Sequence, residues 1–208
     1  MNYLNKNILE NELYYDGVVV LKYHIEYPSI CGNINDNSEF NNYNKCLALN
    51  IQNNAETELY NDAVKTYLYN KQNGYPVMVY EVYTNFEVTY NNLNILSLYI
   101  DVYTFTGGAH GSTIRSSQTW NLLYGKIMDL ASFFPYNPYF MLNILKQINA
   151  QIANDPDIYF DNTCQLVLET FNPKSFYLTS NSIVIYFQQY DIAPYSSGIR
   201  EFNISTNI

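Results

Sequence analysis

Histidine and cysteine, the nitrogen and sulfur ligands typical of zinc sites, are scarce in this sequence. Its 208 residues include two histidines and three cysteines. Cys31, Cys46 and Cys164 show no C-x-x-C spacing, so neither a zinc site nor a disulfide framework is predicted, although one pair could still bridge. Cys46 and Cys164 fit better as small core residues on helix faces. We therefore expect no metal and no cofactor.

Positive charge is also scarce. Ten Lys and Arg residues oppose 19 Asp and Glu residues, which gives a net charge of −9 and a pI near 4.5. A chain with this charge repels phosphate groups. Nucleic acid is therefore disfavoured as a partner, whereas a cationic partner is allowed.

Long apolar runs are missing as well. The longest aliphatic run is Val18-Val19-Val20-Leu21. It is far shorter than the roughly 20 residues that span a bilayer, or the roughly 7 to 15 that form a signal-peptide core. We expect no membrane span in this chain and see no export signal.

Hydrophobic and aromatic residues, in contrast, are plentiful. The sequence is 48% hydrophobic and 17% aromatic, with 23 tyrosines, and only 14% of its residues are charged. This composition excludes a disordered chain, and the length suits one compact domain over residues 1–208. Tyrosines on or just after predicted strands can pack on a sheet or form a binding surface, and packing is the favoured role.

The periodicity of the apolar residues predicts an α+β domain. Alternation with period two indicates strands of an antiparallel sheet, and spacings of three to four indicate helices. The predicted strands lie near 18–27, 76–90, 95–106, 112–123, 183–190 and 199–204. The predicted helices are a long one at 38–72, a second at 138–153 and a short one near 162–171. Because strands and helices do not alternate regularly, the pattern favours α+β over α/β.

The same spacings predict which side chains are buried. The long helix, with its N-cap at Asp36 or Ser38, has an apolar stripe of Phe40, Tyr43, Leu47, Ile51, Ala55, Leu59, Ala63 and Tyr67. The second helix has a stripe of Met141, Ile144, Leu145, Ile148 and Ile152, and the short helix one of Cys164, Val167, Leu168 and Phe171. In the strands, Ile114 is expected on the same side as Trp120 and Leu122, and Ser97 is expected to face outward.

The loop Gly107-Gly108-Ala109-His110-Gly111 is the first candidate for chemistry. Its glycines allow positive φ and close backbone approach, and the imidazole can carry a proton or contact a ligand. A glycine-rich turn with His110 bonded to backbone is the alternative. Asp101 and Ser112 lie near His110 in sequence, but no G-x-S-x-G pattern is present, so a hydrolase triad is only weakly indicated.

Three segments carry a resemblance to a known family: TGGAHG at 106–111, YGKIMDLASFF at 124–134, and SFYLTSNSIVIYFQQYDIAPYSSGIREFNI at 175–204. They resemble a bacterial domain family of unknown function. That family forms the extracytoplasmic part of a lysozyme-sensing anti-sigma factor and the N-terminal region of some peptidoglycan deacetylases. The N-terminal half, about 1–95, is similar to the companion domain that precedes it, and the C-terminal half, about 96–208, carries the motifs.

The resemblance implies a recognition module without enzymatic activity. Its ligand would be a cell-envelope component, such as a peptidoglycan fragment, or a cationic protein such as lysozyme. An extracytoplasmic location is implied, but no signal peptide is visible, so a cytoplasmic location also stays open. The family's motif residues carried over as ligand-binding candidates are Gly107, Gly108, His110, Gly111, Tyr190, Pro194 and Tyr195, with Gly198 as a further motif position. Two alternatives stay open: a cell-wall hydrolase acting through His110 with Asp101 or another carboxylate, and a structural or oligomer-forming protein.

Overall fold

The computed structural model describes residues 3–31 and 38–205. The chain forms two compact units. The N-terminal unit consists of Asn2–Phe86 and Ile100–Thr113, and the C-terminal unit of Glu87–Tyr99 and Ile114–Ile208. Helices and mostly antiparallel strands make up both units, which confirms the α+β class. The single domain expected from the sequence stays a prediction.

The described strands are divided between two sheets. In chain order they are β1 (Leu4–Tyr15), β2 (Val18–Ile30), β3 (Tyr80–Asn92), β4 (Ile95–Phe105), β5 (Ser112–Asn121), β6 (Lys126–Ile127), β7 (Phe176–Leu178), β8 (Ile183–Phe187) and β9 (Arg200–Ile204). The first six follow one another in a six-stranded sheet, and β7, β8 and β9 form a separate three-stranded sheet.

The first strand, β1, was not predicted from the sequence. It pairs antiparallel with β2 from Leu4 opposite Ile30 to Tyr15 opposite Val18. The connecting residues Asp16 and Gly17 have φ of 51° and 75°. Two positive φ values are what a tight type I′ hairpin turn requires. β2 continues through Pro28 to Ile30, past the end predicted near residue 27.

One long helical segment connects β2 to β3. It consists of α1 (Ser38–Asn54), a π-helical turn (Ala55–Leu59) and α2 (Tyr60–Asn73). The helix predicted at 38–72 is therefore confirmed. The crossover leaves β3 parallel to β2, from Leu21 opposite Tyr80 to Ile25 opposite Thr84. This parallel pair is a βαβ unit that the sequence pattern did not predict.

The predicted stripe is confirmed at Phe40, Ala55, Ala63 and Tyr67, which are buried, but within α1 it is rotated slightly. Phe40, Asn44 and Ala48 are buried, whereas Tyr43 is 45% exposed. Each residue turns the helix by about 100°, so Tyr43 falls at the edge of the stripe centred on Phe40 and Asn44. Asn44 tolerates burial because its Nδ2 donates to the Phe40 carbonyl at 2.9 Å. The predicted N-cap Asp36 lies outside the described residues.

The C-terminal unit contains α3 (Phe140–Ile152) and α4 (Thr163–Thr170). The α3 stripe is confirmed, since Ile144, Ile148 and Ile152 are buried in the same core as β8 and β9. None of the described helices combines the length and apolar character that crossing a bilayer requires.

Burial of the cysteines was predicted wrongly. Cys31, Cys46 and Cys164 are all exposed and unbridged. In the two-turn α4, the buried side consists of Thr163 and Val167, so Cys164 and Leu168 face outward. Thr163 can be buried because its hydroxyl donates a hydrogen bond to the Phe160 carbonyl, so this polar group keeps a partner within the core.

Two strand positions have the opposite orientation from the prediction. Ile114 is 63% exposed, whereas Ser97 is fully buried. The Ser97 hydroxyl pairs with that of Thr119 at 2.8 Å and accepts the Leu178 N–H at 2.9 Å. A buried hydroxyl with two hydrogen-bond partners has little desolvation cost left, which is why serine can occupy this core position.

Candidate functional site

Each glycine of the 107–111 loop is required by its local surroundings, for one of two reasons. Gly107 and Gly108 have φ of 96° and 95°, values that other residues rarely adopt. At Gly111 the constraint is space, because an added Cβ would lie 2.5 Å from ring atoms of Tyr103 and 2.6 Å from the Thr104 carbonyl oxygen. The glycine motif therefore shapes the loop, and its one side chain with acid–base chemistry is His110.

His110 is exposed and bonded to the adjacent backbone. Its Nδ1 lies 3.0 Å from the Gly111 carbonyl oxygen. A carbonyl only accepts hydrogen bonds, so Nδ1 carries a proton and the lone pair of the neutral ring is on Nε2. This arrangement matches the backbone-bonded alternative weighed from the sequence.

The motif residues near the C-terminus follow β8. Tyr190 has a φ of 69°, an unusual value for a bulky residue, and is 57% exposed. Its ring centroid lies 5.7 Å from that of Tyr195, which begins a 3-10 turn (Tyr195–Ser197), and the exposed Pro194 precedes that turn. Gly198 ends the turn with φ 65° and ψ −159°, a conformation restricted to glycine. The strained, exposed Tyr190 is therefore paired with the half-buried Tyr195.

Buried residues anchor this segment. Ile192 is fully buried, and its carbonyl accepts the Phe160 N–H at 3.2 Å. Asp191 accepts the Gln188 N–H at 2.7 Å, and burial raises the pKa of the Asp191 carboxyl above its ordinary value.

The predicted site residues therefore belong to two places. Gly107, Gly108, His110 and Gly111 lie in the N-terminal unit, and Tyr190, Pro194 and Tyr195 lie in the C-terminal unit.

A groove on the N-terminal unit was not predicted from the sequence. It has a volume of about 380 Å³. Its lining consists of Glu10, Asn11, Glu12, Lys22, Tyr23, His24 and Tyr83. Strand register brings these residues together, because Glu10 on β1 is opposite His24 on β2, which is opposite Tyr83 on β3. We call this site the acidic groove.

Carboxylates surround the imidazole in the acidic groove. The Nδ1 of His24 lies 2.9 Å from Glu10 Oε2, and its Nε2 lies 3.3 Å from Glu26 Oε1. Burial raises the pKa of the Glu26 carboxyl, but hydrogen bonds from Lys6 and His24 outweigh it and hold that pKa below its ordinary value. Lys22 pairs with Glu81 at 2.7 Å, a bond that raises the pKa of the Lys22 ammonium. Within this groove Glu12 is bound by the Tyr14 hydroxyl at 2.7 Å.

A second cluster, in the C-terminal unit, is built around Arg115. Its guanidinium lies 3.6 Å from the centre of the Tyr99 ring and forms an ion pair with Glu201. The Tyr177 ring stacks on that of Tyr186 and makes a tilted contact with that of Tyr99. Burial, together with Glu201, raises the pKa of the Tyr177 hydroxyl. The Arg115 side chain is only 9% exposed, so this cluster packs strands together and offers little to a ligand.

Within residues 3–31 and 38–205, no group of three or more His, Cys, Asp or Glu side chains could hold a metal ion.

Comparison with known proteins identifies two family matches along the chain. Residues 18–113 match the family described as deacetylase PdaC, and residues 134–207 match the protein family of unknown function DUF3298. The resemblance inferred from the sequence is confirmed. No curated protein matches the chain.

Two solved structures are similar to this fold. A DUF3298 family member from Bacteroides fragilis is 18% identical, with a TM-score of 0.72, and the match covers 98% of this chain and 90% of that one. A DUF3298 family protein from Pseudomonas aeruginosa is 17% identical, with a TM-score of 0.65 and coverage of 98% and 91%. At this level of identity the likeness concerns the fold alone.

Proposed function

We propose that the protein is a non-enzymatic recognition module of the cell envelope, and that its ligand is a basic protein such as lysozyme. The observation that carries this proposal is the acidic groove, where carboxylates and an aromatic ring lie together on three strands. The resemblance to the lysozyme-sensing family and the net charge of −9 support it.

The acidic groove suits a lysine or arginine side chain. The side chain of Glu10 is 70% exposed and Tyr83 is 38% exposed, so both reach an incoming ligand. The aliphatic stem of a cationic side chain packs against the ring of Tyr83, and its charged end pairs with Glu10 and Glu12. Long-range attraction by the acidic chain speeds the encounter, whereas the groove supplies the specific contacts.

Calorimetric titration with lysozyme tests this proposal. We expect a dissociation constant below about 10 μM at low salt, weakening as salt screens the charges. The double variant Glu10→Gln/Glu12→Gln should bind at least about tenfold more weakly, because both groove carboxylates lose their charge.

The matched control is Glu58→Gln/Asp62→Asn, which removes the same charge from exposed helical positions. It should change the affinity by less than about threefold. Equal loss in both variants would mean that net charge alone attracts lysozyme, which contradicts a specific groove. Absence of binding by the wild type overturns the proposal.

Soluble peptidoglycan fragments form the second titration and test the hydrolase alternative. Saturable heat with the fragments and none with lysozyme would mean that the protein recognises peptidoglycan and not lysozyme. Release of new reducing ends by the wild type, abolished in His110→Ala, would establish the hydrolase instead. We expect no turnover in either protein.

A further inference from the structure

A second cavity lies within the C-terminal unit, and nothing described so far uses it. Its volume is about 330 Å³, at the lower end of the range found for small-molecule pockets. Its lining includes two aromatic residues, Tyr90 and Phe133, and the aliphatic Ile95, Leu178 and Ile183. The lining also includes the turn Thr179–Ser182 that connects β7 to β8.

The lining of this cavity contains no carboxylate, ammonium or guanidinium group. In a chain with 19 acidic and ten basic residues, an uncharged cavity selects the ligand by shape and hydrogen bonding. A phosphate or another ionic ligand would lose hydration in this cavity without gaining an opposite charge, which costs free energy. The ligand is therefore neutral.

The turn on the polar side is rigid. Thr179 donates its N–H to the Ser182 carbonyl at 2.9 Å, and the Ser182 N–H donates to Thr179 Oγ1 at 3.1 Å. Ser182 is tied further to Asn203 through its hydroxyl at 2.9 Å. Within the described chain, the Ser180 hydroxyl and the Asn181 side-chain amide have no protein hydrogen bond, and both residues are exposed. The turn thus presents one hydroxyl and one amide at the rim.

We propose that this cavity binds one ring of a neutral saccharide. The C–H face of a pyranose ring is apolar and packs on Phe133 and Tyr90, while its hydroxyl edge bonds with Ser180 and Asn181. An acyl chain fits less well, because it would cover the polar groups of the turn without bonding them. This inference goes beyond the proposed function, since it concerns another unit and an uncharged ligand.

Saturation-transfer NMR detects such binding at millimolar strength. The probes are methyl β-D-glucopyranoside and tri-N-acetylchitotriose, each at about 10 mM, above the dissociation constant of about 1 mM expected for one ring. We expect saturation of the ring protons by the wild type. Asn181→Ala should weaken binding about fivefold through one lost hydrogen bond, and Phe133→Ala should weaken it further.

The controls are Asn154→Ala and Tyr136→Ala, which truncate an exposed amide and an exposed ring in the same unit. Both should bind as the wild type does. Phe133 also packs on Phe176, so its variant counts only if its circular dichroism is native, whereas Asn181→Ala leaves the core intact. No saturation with either sugar, or equal saturation by wild type and Asn181→Ala, overturns the inference. Lysozyme titration of Asn181→Ala should be unchanged, which separates this site from the acidic groove.

Discussion

Single residues of the 107–111 loop show why a motif match alone does not identify ligand contacts. Gly107 and Gly108 are required by their positive φ, and Gly111 by the closeness of Tyr103. A glycine-rich pattern is equally consistent with binding and with a tight loop, because both need small residues. The closeness of Tyr103 and Thr104 favours the second role for Gly111.

Replacing Gly111 by alanine should lower the free energy of unfolding by about 1 to 3 kcal/mol, since the new methyl group overlaps the Tyr103 ring and the Thr104 carbonyl. Urea denaturation measures the change. The neighbouring exposed Ser112→Ala should stay within about 0.5 kcal/mol of the wild type. Unfolding of both variants at the same urea concentration would contradict a steric constraint at Gly111.

Asp191→Asn should raise thermal stability at pH 7 and leave it unchanged at pH 3. Burial raises the pKa of Asp191 in the folded state, so the protonated form favours folding below the ordinary carboxyl pKa of about 3.9. That contribution is lost as the pH rises through the folded pKa. Asparagine keeps an acceptor oxygen for the Gln188 N–H and carries no charge. Melting curves of both proteins at the two pH values check this, and a variant less stable than the wild type at pH 7 would contradict it.

At the level of elements, local sequence predicted the strongly periodic segments and missed those determined by distant partners. The isoleucine stripe of α3 repeats every four residues and was correctly placed. The strand β1 was missed because its sequence is rich in Asn and Glu and its partly buried positions do not alternate regularly. The dipeptide Asp16-Gly17 that follows it is nevertheless a sequence signal for a hairpin turn. Ser97 was predicted outward because its bonding partner Leu178 is 81 residues away.

Both cavities were beyond local prediction for the same reason. The acidic groove depends on the register of three strands, and the β2–β3 pairing is parallel only because a helix intervenes. The neutral cavity joins Tyr90, Phe133 and the turn at Thr179–Ser182, which no short window of sequence contains.

Ser97→Ala should destabilise the C-terminal unit by about 1 to 3 kcal/mol, because the Leu178 N–H and the Thr119 hydroxyl lose a buried partner. Hydrogen exchange of the Leu178 amide reports on this directly and should accelerate. Ser116→Ala, at an exposed position of β5, is the control. Unchanged exchange at Leu178 would show that water replaces the serine hydroxyl.

For the whole molecule, net charge governs association. With a charge of −9 at pH 7, copies of the chain repel one another, and this repulsion vanishes near the pI of about 4.5.

Light scattering should therefore show a larger apparent mass at pH 4.5 than at pH 7.5, reversed by returning the pH. A constant oligomer at both pH values would instead favour the structural or oligomer-forming alternative, because specific interfaces withstand the change in net charge.

The position of β1 at the end of the six-strand order gives the groove residues another role. A strand that pairs on one side alone leaves a row of N–H and C=O groups unpaired on the other. Since β1 is twelve residues long and ends the order of the described strands, it offers a long edge to which another chain could pair. Another copy added in parallel register would stack Lys6 on Lys6, Glu10 on Glu10 and Glu12 on Glu12, so each step of polymerisation would place like charges together. The carboxylates that we propose for ligand recognition would thus also oppose amyloid-like propagation.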